Sequence, residues 1–215
     1  MRFKGAIFDM DGVLFDTERL YQETWKEIAM ERSIRLEDDF LMAISGTNGI
    51  HMKQVIEKYY HVSDGTGIME ECMERMKRKL EIQVPVKKGV YEILEYFHGT
   101  GMRLAVASSS SARQIEANLS KSGIRDYFSK IVSGAEVAYG KPSPDIFRLA
   151  AQKLGCRPDE CLVFEDSENG VRAGHAAGCF TVMIPDLIEP NEEIKALCSK
   201  VSPDFLQVRE EMEKV

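Results

Sequence analysis

The chain has 215 residues, 44% hydrophobic and 29% charged, a balance that belongs to an ordinary globular protein and excludes disordered and fibrous classes. Its formal net charge of −7 opposes a nucleic-acid surface, which needs a basic patch. An anionic substrate therefore has to be met by a metal ion and a few well-placed cationic groups that override the global field.

The five cysteines, Cys72, Cys156, Cys161, Cys179 and Cys198, are scattered and form no Cys-x-x-Cys pair. They read as free, mostly buried thiols rather than disulfides or zinc ligands. Apolar runs such as Gly5-Ala6-Ile7-Phe8 stop far short of the roughly 20 residues that cross a bilayer, and the N-terminus lacks the apolar segment of a signal peptide. The expectation is a cytoplasmic monomer with neither membrane nor nucleic-acid partners.

In chain order, Phe3 to Asp9 reads as a short buried strand that ends in carboxylates and glycine. From about Asp16 to Glu81 the pattern turns helical. Leu20, Trp25, Ile28 and Ala29 fall near helical spacing, with Asp16 or Thr17 as N-cap, and Val55, Ile56 and Tyr59 repeat it. Met69, Met73, Met76 and Leu80 form a further stripe, read as core.

Val84-Pro85-Val86-Lys87-Lys88-Gly89 breaks the helical pattern. Beyond it, apolar strand-like runs at 103–107, 130–132, 161–164 and 180–184 alternate with helical stretches at about 89–99, 111–121, 144–154 and 169–177. That rhythm predicts an α/β core with a doubly wound parallel sheet, residues 1–15 and 84–215, interrupted by a helical cap at 16–83. An insert so connected is placed to act as a lid.

Ligands of open α/β sheets bind at the carboxyl ends of strands, and four strand ends here carry polar groups suited to one phosphate. The first is Asp9-Met10-Asp11-Gly12, with two carboxylates on one side of an extended chain before a residue that lets backbone approach a ligand. Counting from Asp9, an EF-hand would need glycine and glutamate where Leu14 and Leu20 stand.

The second is Val106-Ala107-Ser108-Ser109-Ser110-Ser111, in which Ser111 pairs with Gln114 as a capping box and Ser108, with Ser109, is left for phosphate oxygens. The third is Gly140-Lys141-Pro142-Ser143-Pro144-Asp145, where prolines stiffen the loop that holds Lys141 and Ser143-Pro144 opens a helix. The fourth is Phe164-Glu165-Asp166-Ser167, whose adjacent hard-oxygen groups suit Mg²⁺.

Taken in order, Asp9-Met10-Asp11-Gly12-Val13-Leu14-Phe15-Asp16-Thr17, Val106-Ala107-Ser108-Ser109-Ser110, Gly140-Lys141-Pro142-x-Pro144-Asp145 and Phe164-Glu165-Asp166-Ser167-x-x-Gly170 closely resemble the four motifs of the haloacid dehalogenase superfamily. The helical insert after the first motif looks like the cap of its β-phosphoglucomutase-like branch. The resemblance implies a Rossmann-like core with Asp9 as nucleophile and Asp11 as general acid and base. Ser108 and Lys141 would hold phosphoryl oxygens and the charge on Asp9, and Mg²⁺ would sit on Asp9, the carbonyl of Asp11 and Asp166. Glu165 would support the metal directly or through water.

The reaction class this implies is hydrolysis of a small phosphorylated metabolite, a sugar phosphate or nucleotide monophosphate, through an aspartyl-phosphate. A phosphosugar mutase is the alternative, and a non-catalytic phosphate sensor a third. The mutases resemble one another in an early cap histidine and a cap arginine. Here Tyr21 stands where the histidine would lie, and Gly46-Thr47-Asn48-Gly49 offers glycine near the arginine's place. These departures favour a phosphatase, with Tyr21, Trp25, His51 and Lys53 as candidate substrate contacts from the cap.

Overall fold

The computed structural model describes residues 3–44, 47, 49–186 and 189–214. In chain order the principal elements are β1 (Gly5–Phe8), α1 (Thr17–Glu31), α2 (Phe40–Ile44), α3 (Gly49–Tyr60), α4 (Thr66–Ile82) and α5 (Val90–Gly99). There follow β2 (Arg103–Ser108), α6 (Ala112–Lys121), β3 (Lys130–Ser133), α7 (Asp145–Leu154) and β4 (Cys161–Glu165). The chain then runs through α8 (Glu168–Ala177), β5 (Phe180–Met183), α9 (Glu192–Leu197), β6 (Lys200–Val201) and α10 (Phe205–Met212). It divides into two units, one of residues 1–16 and 85–215 and the other of residues 17–84.

In the first unit, the described strands form one parallel six-stranded sheet in the order β3-β2-β1-β4-β5-β6. β1 lies between β2 and β4, with Phe8 level with Val106 on one side and Phe164 on the other. The connections leave β1 in opposite directions, so its carboxyl end is the switch point at which such sheets bind ligands.

Alternation along β1 sends Ile7 and Phe8 to opposite faces. Ile7 joins a cluster with Ala105, Val132, Phe147, Ala150, Val163 and Ala173, which packs α7 and α8 on one face. Phe8 stacks on Phe164 at 4.8 Å between centroids and meets Phe97, Phe128 and Phe205 on the other. By the same alternation Asp9 follows Ile7, toward the face on which α7 lies.

The helices fall within a residue or two of the expected spans. α7 starts at Asp145 rather than at Pro144, because Ser143 N donates to Gly140 O in a turn and Pro144 takes the N-cap place. β6, α9 and α10 give no sequence signal in this reading: the two residues of β6 are too few for a period to show. Among the described residues, no helix is long and apolar enough to cross a membrane.

The described residues of the second unit form four helices around a core of Trp25, Ile28, Phe40, Ile56, Tyr60, Cys72 and Met76. The Trp25 ring meets Phe40 and Tyr60 edge-on, each at 6.3 Å, and Tyr60 Oη donates to the Trp25 carbonyl at 2.7 Å. Of the methionine stripe, Met76 is buried and Met69 packs against the core, while Met73 is 39% exposed. Lys79 pairs with Glu27 at 2.8 Å, and Arg75 and Arg32 share Glu71, so charged groups also link α1 and α4.

Candidate active site

The turn after β1 is set by Asp9 N donating to Phe164 O at 3.0 Å, Leu14 N to Met10 O at 2.9 Å, and Gly12 N to Phe15 O at 2.9 Å. Gly12 has φ +79, and a Cβ there would lie 2.1 Å from Asp166 Oδ2. Backbone conformation and the neighbouring carboxylate both demand glycine at this point.

Asp9 is 7% exposed. Its Oδ1 accepts from Lys141 Nζ, which also donates to Glu165 Oε1 and lies 5.1 Å from the Phe147 ring. Glu165 is fully buried, and its Oε2 accepts from Asp166 N at 3.1 Å, Ser167 N at 3.2 Å and Ser167 Oγ at 3.0 Å. Gly170 makes this possible: a Cβ there would fall 1.9 Å from the Glu165 carboxyl carbon.

Oxygens of Asp9, Glu165 and Asp166 lie within 4.8 Å of one another. Burial raises the Asp9 carboxyl to about 7, with Glu165 and Asp11 adding to the rise and Lys141 opposing it. Burial, followed by the charges of Glu165 and Asp9, holds Asp166 well above the usual carboxylate range. Burial pulls Lys141 down, but its two carboxylate neighbours outweigh this and keep it above the ordinary lysine range. One ammonium thus faces three crowded carboxylates, and this hard-oxygen donor set fits a divalent cation such as Mg²⁺.

At the end of β2, Ser108 is 2% exposed and its Oγ accepts from Ser110 N at 3.1 Å. Ser110 Oγ donates to Asp11 Oδ2 at 3.3 Å, and Ser133 Oγ donates to Ser110 O at 2.7 Å. Ser109 is exposed on the same loop. Ser111 caps α6, its Oγ accepting from Gln114 N at 3.3 Å.

The ends of β1, β2 and β4 therefore bring Asp9, Asp11, Ser108, Ser109, Glu165 and Asp166 to one edge of the sheet, and the loop between β3 and α7 adds Lys141. The residues expected to contribute from the cap fare differently. Trp25 is corrected: at 2% exposure it is enclosed by Phe40 and Tyr60 and is a core residue of the helical unit, not a ligand contact. Tyr21 packs at the border of that core with Oη 3.7 Å from Met73 Sδ. His51 is exposed, and Lys53 pairs with Asp64 at 2.9 Å. Gly46 and Asn48 lie outside the described residues.

Sequence reasoning assigned no part to Ser110, Gly170, Lys87 or Asp186. The spacing between Glu165 and Gly170 held the signal for Gly170. For Asp186 it lay in a fifth apolar run, Phe180 to Ile184, that also ends in a carboxylate.

The family profile for haloacid dehalogenase-like hydrolases matches residues 6–184. A fructose-1-phosphate phosphatase of Escherichia coli (strain K12) is 33% identical over 178 residues, 82% of this chain and 94% of the relative. A phosphorylated carbohydrates phosphatase of Thermotoga maritima is 32% identical over 176 residues, 81% and 82% of the two chains. The crystal structure of a β-phosphoglucomutase from Clostridium difficile superposes with a TM-score of 0.73 over 99% of this chain and 96% of that one; at 21% identity the likeness is one of fold.

Proposed function

We propose that this chain, which belongs to the haloacid dehalogenase-like hydrolase family, is a Mg²⁺-dependent phosphatase of a small sugar phosphate, acting through an aspartyl-phosphate on Asp9. The observation that carries the reading is a buried carboxylate at the switch point of the sheet, held by Lys141 and crowded by Glu165 and Asp166. The sugar is favoured over a nucleotide because two relatives above 30% identity bear the names of sugar-phosphate or carbohydrate-phosphate phosphatases, against one at 32%, from Drosophila melanogaster, named a probable pseudouridine-5'-phosphatase.

Asp9, Asp166 and the carbonyl of Asp11 would hold Mg²⁺, which supplies charge neutralisation for the phosphoryl oxygens. Glu165, with one oxygen on Lys141 and the other on three donors at the start of α8, is read as the group that fixes Lys141 and supports the metal from behind.

In the first half-reaction an Asp9 oxygen bonds to phosphorus as the ester P–O bond breaks, and Asp11 gives a proton to the departing sugar oxygen. In the second, Asp11 takes a proton from water as the water oxygen bonds to phosphorus. The bond to Asp9 then breaks and inorganic phosphate leaves. Splitting the displacement in this way lets one carboxylate carry the phosphoryl group while the other moves the protons. Lys141 offsets the repulsion between the anionic nucleophile and the anionic ester, and the loop Ser108–Ser110, in which Ser109 is exposed, offers hydroxyl and amide donors to the phosphoryl oxygens. Tyr21, His51 and Lys53 are retained as proposed substrate contacts from the helical unit.

Phosphate release from a panel of hexose, pentose and hexitol phosphates and nucleoside monophosphates, with Mg²⁺ and with EDTA, tests the reading. The expected result is turnover of one or more sugar phosphates that EDTA stops and Asp9→Asn abolishes. The resemblance of fold to a β-phosphoglucomutase makes the mutase the second reading. Incubation with β-glucose 1-phosphate and a trace of bisphosphate separates the two: accumulation of glucose 6-phosphate in place of free phosphate overturns the phosphatase assignment.

A further inference from the structure

Lys87 and Asp186 form an ion pair at the same edge of the sheet that no step above uses. Lys87 N donates to Leu14 O at 3.0 Å, which stitches the residue to the turn following β1. Its Nζ reaches Asp186 Oδ1 at 2.6 Å, and the two side chains are 16% and 11% exposed.

Asp186 continues the line of β5, since Ile184 N donates to Glu165 O at 2.7 Å, one residue before Asp166. β4 lies between β1 and β5 in the sheet. A pair that runs from the β1 turn to the loop after β5 therefore crosses the end of β4, where Asp166 sits. Gly12, in that same turn, has the Asp166 carboxylate against it.

Within this pair Lys87 satisfies only one oxygen. Asp186 Oδ2 is buried and has no hydrogen-bond partner among the described residues. A buried carboxylate oxygen left unpaired is costly, and a purely structural clamp gains nothing from it.

We propose that Asp186 is a positioning residue of the divalent-metal centre: Lys87 fixes its Oδ1, and its free Oδ2 accepts a hydrogen bond from a water ligand of the cation held by Asp9 and Asp166. The inference rests on the metal-dependent phosphatase reading above. Groups in this position orient metal ligands without touching the metal, and their loss typically costs roughly 10- to 100-fold in metal affinity.

Asp186→Asn is the direct test. Lysine can only donate, so it selects the amide carbonyl and leaves the NH₂ group where Oδ2 was, replacing an acceptor with a donor at nearly unchanged shape. Calorimetric titration of the full chain with MgCl₂ and MnCl₂ is read beside thermal unfolding and kcat at saturating Mg²⁺. The variant should bind Mg²⁺ about 10- to 100-fold more weakly. The Mg²⁺ concentration for half-maximal activity should rise by the same factor, with kcat at saturation within a few-fold of the parent.

Lys87→Met leaves the carboxylate but frees it from its clamp, and is expected to weaken binding by at least about threefold, a fraction of the full loss. Mg²⁺ affinity within twofold of the parent in both variants, with only the melting temperature moved, shows a structural staple and overturns the inference. A parent chain that binds no Mg²⁺ and releases no phosphate from the sugar-phosphate panel instead overturns the reading on which it rests.

Discussion

Asp9 and Trp25 are both buried, at 7% and 2% exposure, and burial means opposite things for them. Around Asp9 the enclosing groups are charged and directional: Lys141, Glu165, Asp166 and a glycine whose absent side chain makes the room. Around Trp25 they are Phe40, Tyr60 and the rest of an apolar core. At the strand ends burial raises the Asp9 carboxyl to about 7, a cost borne at the proposed nucleophile. In the helical unit burial is the source of stability, and the residues it takes up are lost to recognition.

Exchanging the two kinds of residue should separate activity from stability. The largest effect is expected at Asp11. Asp11→Asn removes the proposed proton donor and acceptor, and kcat should fall about 10²- to 10⁴-fold, or about 3 to 5 kcal/mol of barrier lowering, with the fold intact by circular dichroism. Trp25→Ala should do the reverse, costing about 3 to 5 kcal/mol of stability in urea unfolding while KM of the folded fraction stays the same. A Trp25 variant that is stable but raises KM severalfold would return this residue to the substrate contacts and break the contrast.

Gly170→Ala sharpens the comparison within the core. Its new Cβ must displace the Glu165 carboxylate, and through it Lys141, so kcat should fall about 10²-fold, a loss typical of reactive groups misplaced by an ångström. Activity near the parent level would show that Glu165 does not set the position of Lys141.

A smaller effect is expected in the pH dependence of stability without metal. The folded Asp9 carboxyl titrates at about 7 against a reference of 3.8, so between these values the folded chain binds a proton that the unfolded chain has released. Stability therefore falls as pH rises through that window, and the cost is fully present above about 7. Saturating Mg²⁺ prefers the ionised carboxylates, so it should raise the melting temperature more at pH 8 than at pH 5. An equal rise at both pH values contradicts the assignment of ionised Asp9 and Asp166 as ligands.

Legibility in the sequence divides along the same line. Asp9 and Glu165 stand out because each closes an apolar run at the point where a parallel strand stops, and topology alone gathers such points onto one edge, whereas Lys141, in the loop beyond β3, stands out by its place between Gly140 and Pro142. Trp25 was misplaced because helical spacing marks an apolar face without saying what that face packs against. Ser110 was hidden because its bond to Asp11 depends on the path of a loop, and Asp186 because its partner Lys87 is 99 residues away in sequence. The exposure of Met73 likewise depends on how the helices of its unit pack, which spacing does not specify.

The claim that Asp9 is the nucleophile is tested most directly by trapping. The full chain is quenched in acid during turnover of a phosphate-labelled sugar phosphate, reduced with borohydride and mapped by mass spectrometry. Borohydride converts an acyl phosphate to the alcohol, so the predicted result is a homoserine at position 9 and nowhere else. Reduction at another carboxylate, or steady turnover with no residue modified, contradicts the account.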